Sequence, residues 1–418
     1  MNLAIEILQE RGFLKQCTDK DSLSKLMNED KVTFYVGCDP TGTSLHIGHM
    51  VPFFAFRHMQ EAGHKGIALI GGGTARIGDP SGKSEIRKML SYESLDENAK
   101  KITAQLDRFL GSNHITVNNK DWLANLNYID FLREIGSHFS VNRMLSFEAY
   151  KARMETGLSF IEFNYQLLQS YDFLELYRRY GCCLQIGGDD QWGNIVAGAE
   201  LIRRIESAEV FGLTFPLVTT SDGKKMGKTE KGALFLDLSL TSSYDFFQYW
   251  RNVLDTDIKR FLLMFTFLPV EECEKLTGQG SNPNKAKERL AYEITALIHG
   301  REEADKALAG AIAAFKGGDA LGGDKSAMPQ VKLPLSAFEA GYNSAALFFD
   351  AGLCSNKSEG RRLVQQGGAF VSDKNGSLAV VGNLTEKIYS DRFNAEGELI
   401  IRAGKKRYCL VIVDKTGA

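Results

Sequence analysis

Long apolar runs are missing from this chain: nowhere in its 418 residues does a stretch approach the roughly 20 apolar positions that a membrane-spanning helix needs. No membrane partner is expected. Cysteine is scarce and unpatterned. Its seven residues, an odd number without framework spacing, argue against a disulfide scaffold and predict reduced thiols in the cytoplasm. A dominant charge sign is absent too. With 50 Lys+Arg against 52 Asp+Glu the net charge is −2, so nothing global advertises a polyanionic partner. Met1 to Leu14 carries Glu6 and Glu10 among alternating polar and apolar residues, unlike a signal peptide. What is present is ordinary: 44% hydrophobic and 24% charged residues, in a length that predicts two or three globular domains.

Charge is unevenly spread. Residues 341–418 hold 11 Lys+Arg against 8 Asp+Glu, or +3, which leaves 39 against 44, or −5, for the rest. A mildly basic tail on a mildly acidic body fits a nucleic-acid-contacting appendage, and equally an ordinary surface. Val32-Thr33-Phe34-Tyr35-Val36 and Ile67-Ala68-Leu69-Ile70 read as buried strands. Between them a helix is expected from Ser44, as N-cap, to about Ala62, with Pro52 predicting a kink or a later start. Strand, helix, strand is a parallel βαβ unit. A second opens with a strand at 182–186 and a helix near Gly193. The pattern between these halves is mostly helical, as at 102–110 and 128–135, and so is the stretch from Tyr244 to about Phe315. Residues 316–325 are rich in Gly and Asp without apolar period. The expected architecture is α/β: a Rossmann-like parallel-sheet domain with a helical insertion (1–240), a helical domain (241–320), a linker (321–334) and a small α+β module (335–418).

His46 and His49 follow the first strand. At i, i+3 on one helical face near an N-terminus, where free N–H groups favour anions, both imidazoles can reach one phosphate or a ribose oxygen. A zinc site using Cys38 lacks further Cys or His close in sequence. Gly48 allows a base or ribose to approach closely, or packs against the next strand. Far downstream, Lys225-Met226-Gly227-Lys228-Thr229 lies in a loop after another strand. In this order the two segments point to activation of a carboxylic acid by attack on the α-phosphate of ATP. Two imidazoles and two lysines suit the charge that builds on phosphorus and departing pyrophosphate. The run 71–84 imitates a P-loop, but Ile77 stands where that loop needs glycine. It is read instead as a glycine-rich strand end bringing Asp79 into a crevice, to meet a substrate ammonium or to cap a turn. Tyr165, Gln169 and Asp172 form one i, i+4, i+7 stripe on an otherwise apolar helix, costly to bury unless a small polar ligand satisfies it. Asp189-Asp190-Gln191, after Gly187-Gly188 at a strand end, suits ribose hydroxyls and a ligand carbonyl, or Mg²⁺.

These pieces, with Tyr35-Val36-Gly37-Cys38-Asp39-Pro40-Thr41 and Ile77-Gly78-Asp79-Pro80-Ser81-Gly82-Lys83, resemble the bacterial tyrosyl-tRNA synthetases over essentially the whole chain. The resemblance implies a class I synthetase, with His46-Ile47-Gly48-His49 as its HIGH signature and Lys225 to Thr229 as its KMSKS signature. It implies catalytic roles for Thr41, His46 and His49 at the phosphates and for Lys225 and Lys228 on the pyrophosphate. Tyr35 and Asp172 would bond the phenolic hydroxyl of tyrosine, Asp79, Tyr165 and Gln169 its ammonium, and Gln191 its carboxylate. Gly37, Asp39, Gly48, Gly188, Asp190 and Lys228 would form the ATP site. Residues 355–368 resemble a small RNA-binding module shared with a ribosomal small-subunit protein, in which Lys357, Arg361 and Arg362 would contact the tRNA backbone. The helical domain would serve the anticodon side. Implied partners are L-tyrosine, ATP with Mg²⁺, tRNA(Tyr) and a second copy of the chain. No resident metal site and no tightly bound organic cofactor are expected.

Three departures stand out. Gly227 and Thr229 replace two consensus serines, with Gly227 expected to loosen the loop. Arg76 stands where an aliphatic residue is expected. Asp189 beside Asp190 blurs which carboxylate meets the ribose. The rivals are a tryptophan-specific synthetase, which Tyr35, Asp172 and the tail disfavour, a non-catalytic RNA-binding or splicing protein, which the intact histidines and lysines disfavour, and a small-metabolite adenylyltransferase, which leaves the helical domain and tail unexplained.

Overall fold

The computed structural model describes residues 2–79, 90–221, 223, 226–229, 232–315, 328–404 and 407–414. The expectations for 80–84, Lys225 and 316–325 fall outside them, as does the side chain of Lys228. The chain divides into two compact units, Met1–Leu240 with Leu254–Ser281, and Thr241–Val253 with Asn282–Ala418.

In the first unit a six-stranded sheet runs in the order β1 (Gln16–Cys17), β6 (Phe211–Phe215), β5 (Cys182–Gly188), β2 (Thr33–Cys38), β3 (Lys65–Ile70), β4 (His114–Asn118). All neighbours are parallel except the edge pair β1–β6. The expected α/β architecture therefore forms. Parallel pairing needs crossovers, here α3 (Met50–Glu61), α4 (Tyr92–Leu110) and α10 (Trp192–Glu206). Gly66 permits one of them: a Cβ there would lie 2.1 Å from Cζ of Phe56, so the bare backbone lets α3 settle on the sheet. From β2 the chain winds outward to β3, and from β5 it winds the opposite way to β6. The carboxyl ends of β2 and β5 are thus the switch point, where open α/β sheets leave a crevice.

Between β4 and β5 run the short helices α5 (Lys120–Leu123), α6 (Tyr128–Glu134), α7 (Val141–Ser146) and α8 (Glu148–Thr156), then α9 (Phe160–Tyr180). Ser159 and Glu162 form a capping box at the start of α9, and Gly181 ends it at φ 62°. Glu162 also receives Arg153 of α8 at 3.0 Å, a buried pair fixing α8 against that start. Beyond β6 come the hairpin β7 (Lys228–Thr229) and β8 (Gly232–Ala233) and, after α11 (Ser243–Arg251), the helices α12 (Ile258–Phe265) and α13 (Val270–Thr277). Arg11, next to α1 (Leu3–Glu10), donates to the carbonyls of Leu263, Thr266 and Leu268 at 2.9, 3.0 and 2.7 Å. This satisfies groups at and beyond the carboxyl end of α12 that no helix bond reaches.

In the second unit α11 packs with α14 (Pro283–His299) and α15 (Arg301–Phe315). A five-stranded sheet follows, in the order β12 (Leu378–Val380), β11 (Ala369–Ser372), β14 (Glu398–Ala403), β15 (Arg407–Asp414), β9 (Gln330–Pro334). Gly360, on α18 (Lys357–Gln365), sits where a Cβ would be 2.5 Å from the carbonyl of Ala345. That close approach turns Lys357, Arg361 and Arg362 outward, all three exposed. No described helix is long and apolar enough to cross a membrane.

Candidate active site

A cavity with about 1370 Å³ of empty space, counting the part open to solvent, lies at the β2/β5 switch point. Of the residues assigned from sequence, Tyr35, Gly37, Asp39, Thr41, Gly48, His49, Asp79, Tyr165, Gln169, Asp172, Gly188, Asp190 and Gln191 line it together. His46 is not among the lining residues, and its ring stacks on that of His49. Glycine shapes the floor: a Cβ on Gly71 would fall 1.9 Å from Oδ1 of Asp39, and one on Gly72 2.5 Å from Oδ1 of Asn118.

At one end Tyr35 and Asp172 are each 1% exposed. The Asp172 carboxylate accepts from Trp122 Nε1 and from Asn119 Nδ2, both at 2.8 Å. Burial nevertheless pushes its pKa up to about 8, against those two bonds and with help from the charges of Asp39 and Glu175. Burial and the neighbouring Asp172 drive the Tyr35 phenol well above its usual value, and its hydroxyl has no hydrogen-bond partner among the described residues. An orphaned buried hydroxyl costs about 1–3 kcal/mol. A ligand hydroxyl satisfies both sides at once, accepting from Tyr35 and donating to Asp172. Trp122 and Asn119 were not anticipated. They follow β4, a strand too polar to stand out in sequence, at the same carboxyl edge that gave the other residues.

A bonded chain leads along the cavity. Asn119 Nδ2 also donates to Thr74 Oγ1 at 2.9 Å, Thr74 donates to Asp39 Oδ1 at 2.8 Å, and Tyr165 donates to Asp39 Oδ2 at 3.3 Å. Asp39, expected with the ATP group, thus faces Tyr165. Gln191 Nε2 donates to Asp79 Oδ2 at 2.7 Å, while Asn194 Nδ2 donates to Gln169 Oε1 at 3.0 Å and Gln191 Oε1 at 3.2 Å. Four carboxylates line the one crevice, Asp39, Asp79, Asp172 and Asp190, which suits a cationic group. Gln185, 4% exposed and also unforeseen, lines the cavity, and its Oε1 has no partner among the described residues.

The expected helix forms with the later start that Pro52 raised, and ends as expected with Ala62 as its C-cap. Ile47–His49 is a single 3₁₀ turn, and α3 begins only at Met50, which places Pro52 in its tolerant first turn. The backbone of 45–47 pairs elsewhere: Ile47 N–H donates to the Leu234 carbonyl at 3.1 Å, Leu236 N–H to that of Leu45 at 2.9 Å, and His46 bridges Phe235. Instead of sharing a helical face, the two imidazoles stack, with centroids 3.6 Å apart and planes at 21°. Nδ1 of His46 accepts from the Gly48 N–H at 3.1 Å and Nδ1 of His49 from the His46 N–H at 3.4 Å. In the neutral rings the protons therefore sit on Nε2. Gly48 serves this turn: its Cβ would stand 3.0 Å from the His46 ring.

The lysine segment docks on the same turn. Gly227 is buried at φ +79°, and a Cβ there would meet Cγ2 of Ile47 at 2.8 Å. Close fit and positive φ, rather than looseness, account for this glycine. Asp189 turns away, its Oδ1 accepting from Gln16 at 2.6 Å and Thr214 at 3.1 Å, which leaves Asp190 as the carboxylate in the cavity. The Arg76 guanidinium lies 4.1 Å over the ring of Tyr92 at the start of α4, a cation–π contact that explains the charge.

A family model described as tRNA synthetases class I (W and Y) matches residues 27–316. The tyrosine–tRNA ligase of Treponema denticola is 60% identical over 99% of this chain and 100% of its own length, and that of Treponema pallidum 58% over 99% of each. Among solved structures, a C-terminally truncated mitochondrial tyrosyl-tRNA synthetase of Aspergillus nidulans superposes with a TM-score of 0.68 at 32% identity. It covers 75% of this chain and 94% of that one.

Proposed function

The chain belongs to the class I tRNA synthetases of the W and Y type, and from that premise we infer that it acts as a tyrosine–tRNA ligase. Tyrosine and ATP give tyrosyl-adenylate and pyrophosphate, and the tyrosyl group then passes to the 3′ end of tRNA(Tyr). The orphaned hydroxyl of Tyr35 beside buried Asp172 carries the choice of amino acid: it requires a phenol, which tryptophan and phenylalanine lack.

Asp79, Tyr165 and Gln169 hold the ammonium, and Gln191 orients the carboxylate for in-line attack on the α-phosphorus. Gly37, Asp39, Gly188 and Asp190 line the nucleotide. Thr41 and the Nε2–H groups of His46 and His49 stabilise charge on the phosphates, with Lys225 and Lys228 on the pyrophosphate. Catalysis is positioning plus electrostatics, without a covalent protein intermediate. Mg²⁺ enters with the ATP phosphates. Among the described residues no three His, Cys, Asp or Glu side chains group to hold a metal, so no step is assigned through it.

Residues 1–240 form the catalytic part in this reading, with 254–281 packed in the same unit. The 241–320 helices and the 335–418 module receive tRNA, with Lys357, Arg361 and Arg362 on its backbone. Exposed Tyr128, Ile129, Val141, Met154, Phe160 and Ile161 concentrate within 128–161, which fits a homodimer face. The seven unpaired cysteines fit a cytoplasmic protein. Tyrosine-dependent ATP–pyrophosphate exchange, with phenylalanine and tryptophan as controls, tests the assignment. Exchange driven by tryptophan but not tyrosine would overturn it.

A further inference from the structure

β6 ends at Phe215, yet residues 215–218 still wall the cavity beside Gly188. What fixes this wall is a contact that no sequence motif announced. Asp257, 2% exposed, lies just before α12. Its Oδ2 accepts from the Ser221 N–H at 2.9 Å and the Ser221 hydroxyl at 3.2 Å, and its Oδ1 accepts from Arg260 at 2.7 Å. Arg260 donates as well to the carbonyl of Thr219, and the hydroxyls of Ser221 and Thr256 meet at 2.7 Å. The clamped stem passes its position on, because the Val218 carbonyl accepts from the Met226 N–H at 3.2 Å, at the foot of the lysine hairpin.

The clamp has a firm base. α12 is tied through its carboxyl end to Arg11 and packs on α3, the helix that begins at the histidine turn. A buried carboxylate is costly unless both its oxygens are bonded. Here Oδ1 is bonded by Arg260 of α12, and Oδ2 by Ser221 of a loop that neither the sheet nor a helix needs for its own formation.

We propose that Asp257, supported by Arg260, is a positioning residue for the ATP end of the cavity. It holds the 218–221 stem so that Leu217, Val218 and the segment beginning at Met226 stand at a set distance from the histidine turn. This rests on the tyrosine-activating reading above. Among the described residues the phenol end shares no bond with the clamp, so the two substrates should respond differently.

The test is tyrosine-dependent ATP–pyrophosphate exchange with the full chain, read as separate KM values. Asp257→Ala should raise KM for ATP about tenfold or more while KM for tyrosine stays within about twofold. Arg260→Ala should act in the same direction with smaller size. Asp257→Asn keeps an acceptor for Ser221 and should recover much of the loss. If Asp257→Ala does not fold, Arg260→Ala and Asp257→Asn carry the same comparison. An unchanged KM for ATP, or both KM values rising together, overturns the assignment. Absence of exchange in the unaltered chain would instead remove the enzymatic reading itself.

Discussion

The two ends of the cavity are held by different parts of the polypeptide. At the phenol end side chains do the holding, all in the core: Tyr35 from β2, and Asp172 from α9, which is bonded to Trp122 of α5 and to Asn119 just before it. At the phosphate end backbone does it. The 45–47 and 234–236 segments pair, Gly227 presses on Ile47, and Asp257 grips an N–H of the stem. The difference follows from the ligands. Telling a phenol from a benzene ring requires desolvated polar groups that suffer when left unpaired. A triphosphate carries enough charge that it needs donors aimed at it and still reachable, which turns and glycines supply.

The contrast breaks most deeply at Asp172. Asp172→Ala should reduce the preference for tyrosine over phenylalanine by about 10²–10⁴-fold, since phenylalanine would no longer leave both buried groups unpaired. Relative kcat/KM in the exchange assay measures this, and an intact preference would place the phenol elsewhere.

Next comes pH. With its pKa raised to about 8, Asp172 is protonated in the ligand-free site below that pH and ionised above it. A phenol donates more strongly to the ionised form than to the neutral carboxyl, so tyrosine affinity should rise by up to about tenfold from about pH 6.5 to about pH 8.5. Phenylalanine binding should stay flat. Trp122→Phe removes a bond that favours the charge, and should move the midpoint to higher pH.

A smaller effect should separate the ends from the other side. Gly227→Ala forces a Cβ against Ile47 in a left-handed conformation costing about 1–2 kcal/mol, so adenylate formation should slow about tenfold with tyrosine binding unchanged. A parallel loss of tyrosine affinity would mean the ends are not independent.

The smallest expected effect is on neither end. His58, 4% exposed in α3, is driven down to about 3 by burial and by Arg11 and Arg57. The unfolded chain therefore binds the extra proton between its ordinary value of 6.5 and about 3, so the stabilisation is present above 6.5 and lost as pH falls through that window. Urea unfolding should show His58→Phe losing less stability than the parent between about pH 7 and about pH 5.7, by roughly 1 kcal/mol, with both KM values intact at neutral pH.

What could be read in advance depended on how local the signal was. The Tyr165, Gln169, Asp172 stripe repeats at the period of the helix that carries it, and β2, β3 and β5 announced themselves as apolar runs. The histidine turn was misjudged for the converse reason. Its i, i+3 spacing suits a helix, but the backbone of 45–47 bonds to 234–236, a partner that no window of neighbouring residues contains. Asp189 and Asp190 were indistinguishable in sequence, and only Gln16 and Thr214 on neighbouring strands decided which one turns away.

The sequence by itself determined the kind of chemistry and most of the groups that perform it, because residue type, short-range period and order along the chain are local properties. The tertiary structure alone decided how those groups are held: a stacked imidazole pair instead of a helical face, a glycine chosen for fit, and a carboxylate lifted to about 8 among Trp122, Asn119 and Asp39. Desolvation and close approach depend on what distant segments bring to the same place, and a linear string carries no distances.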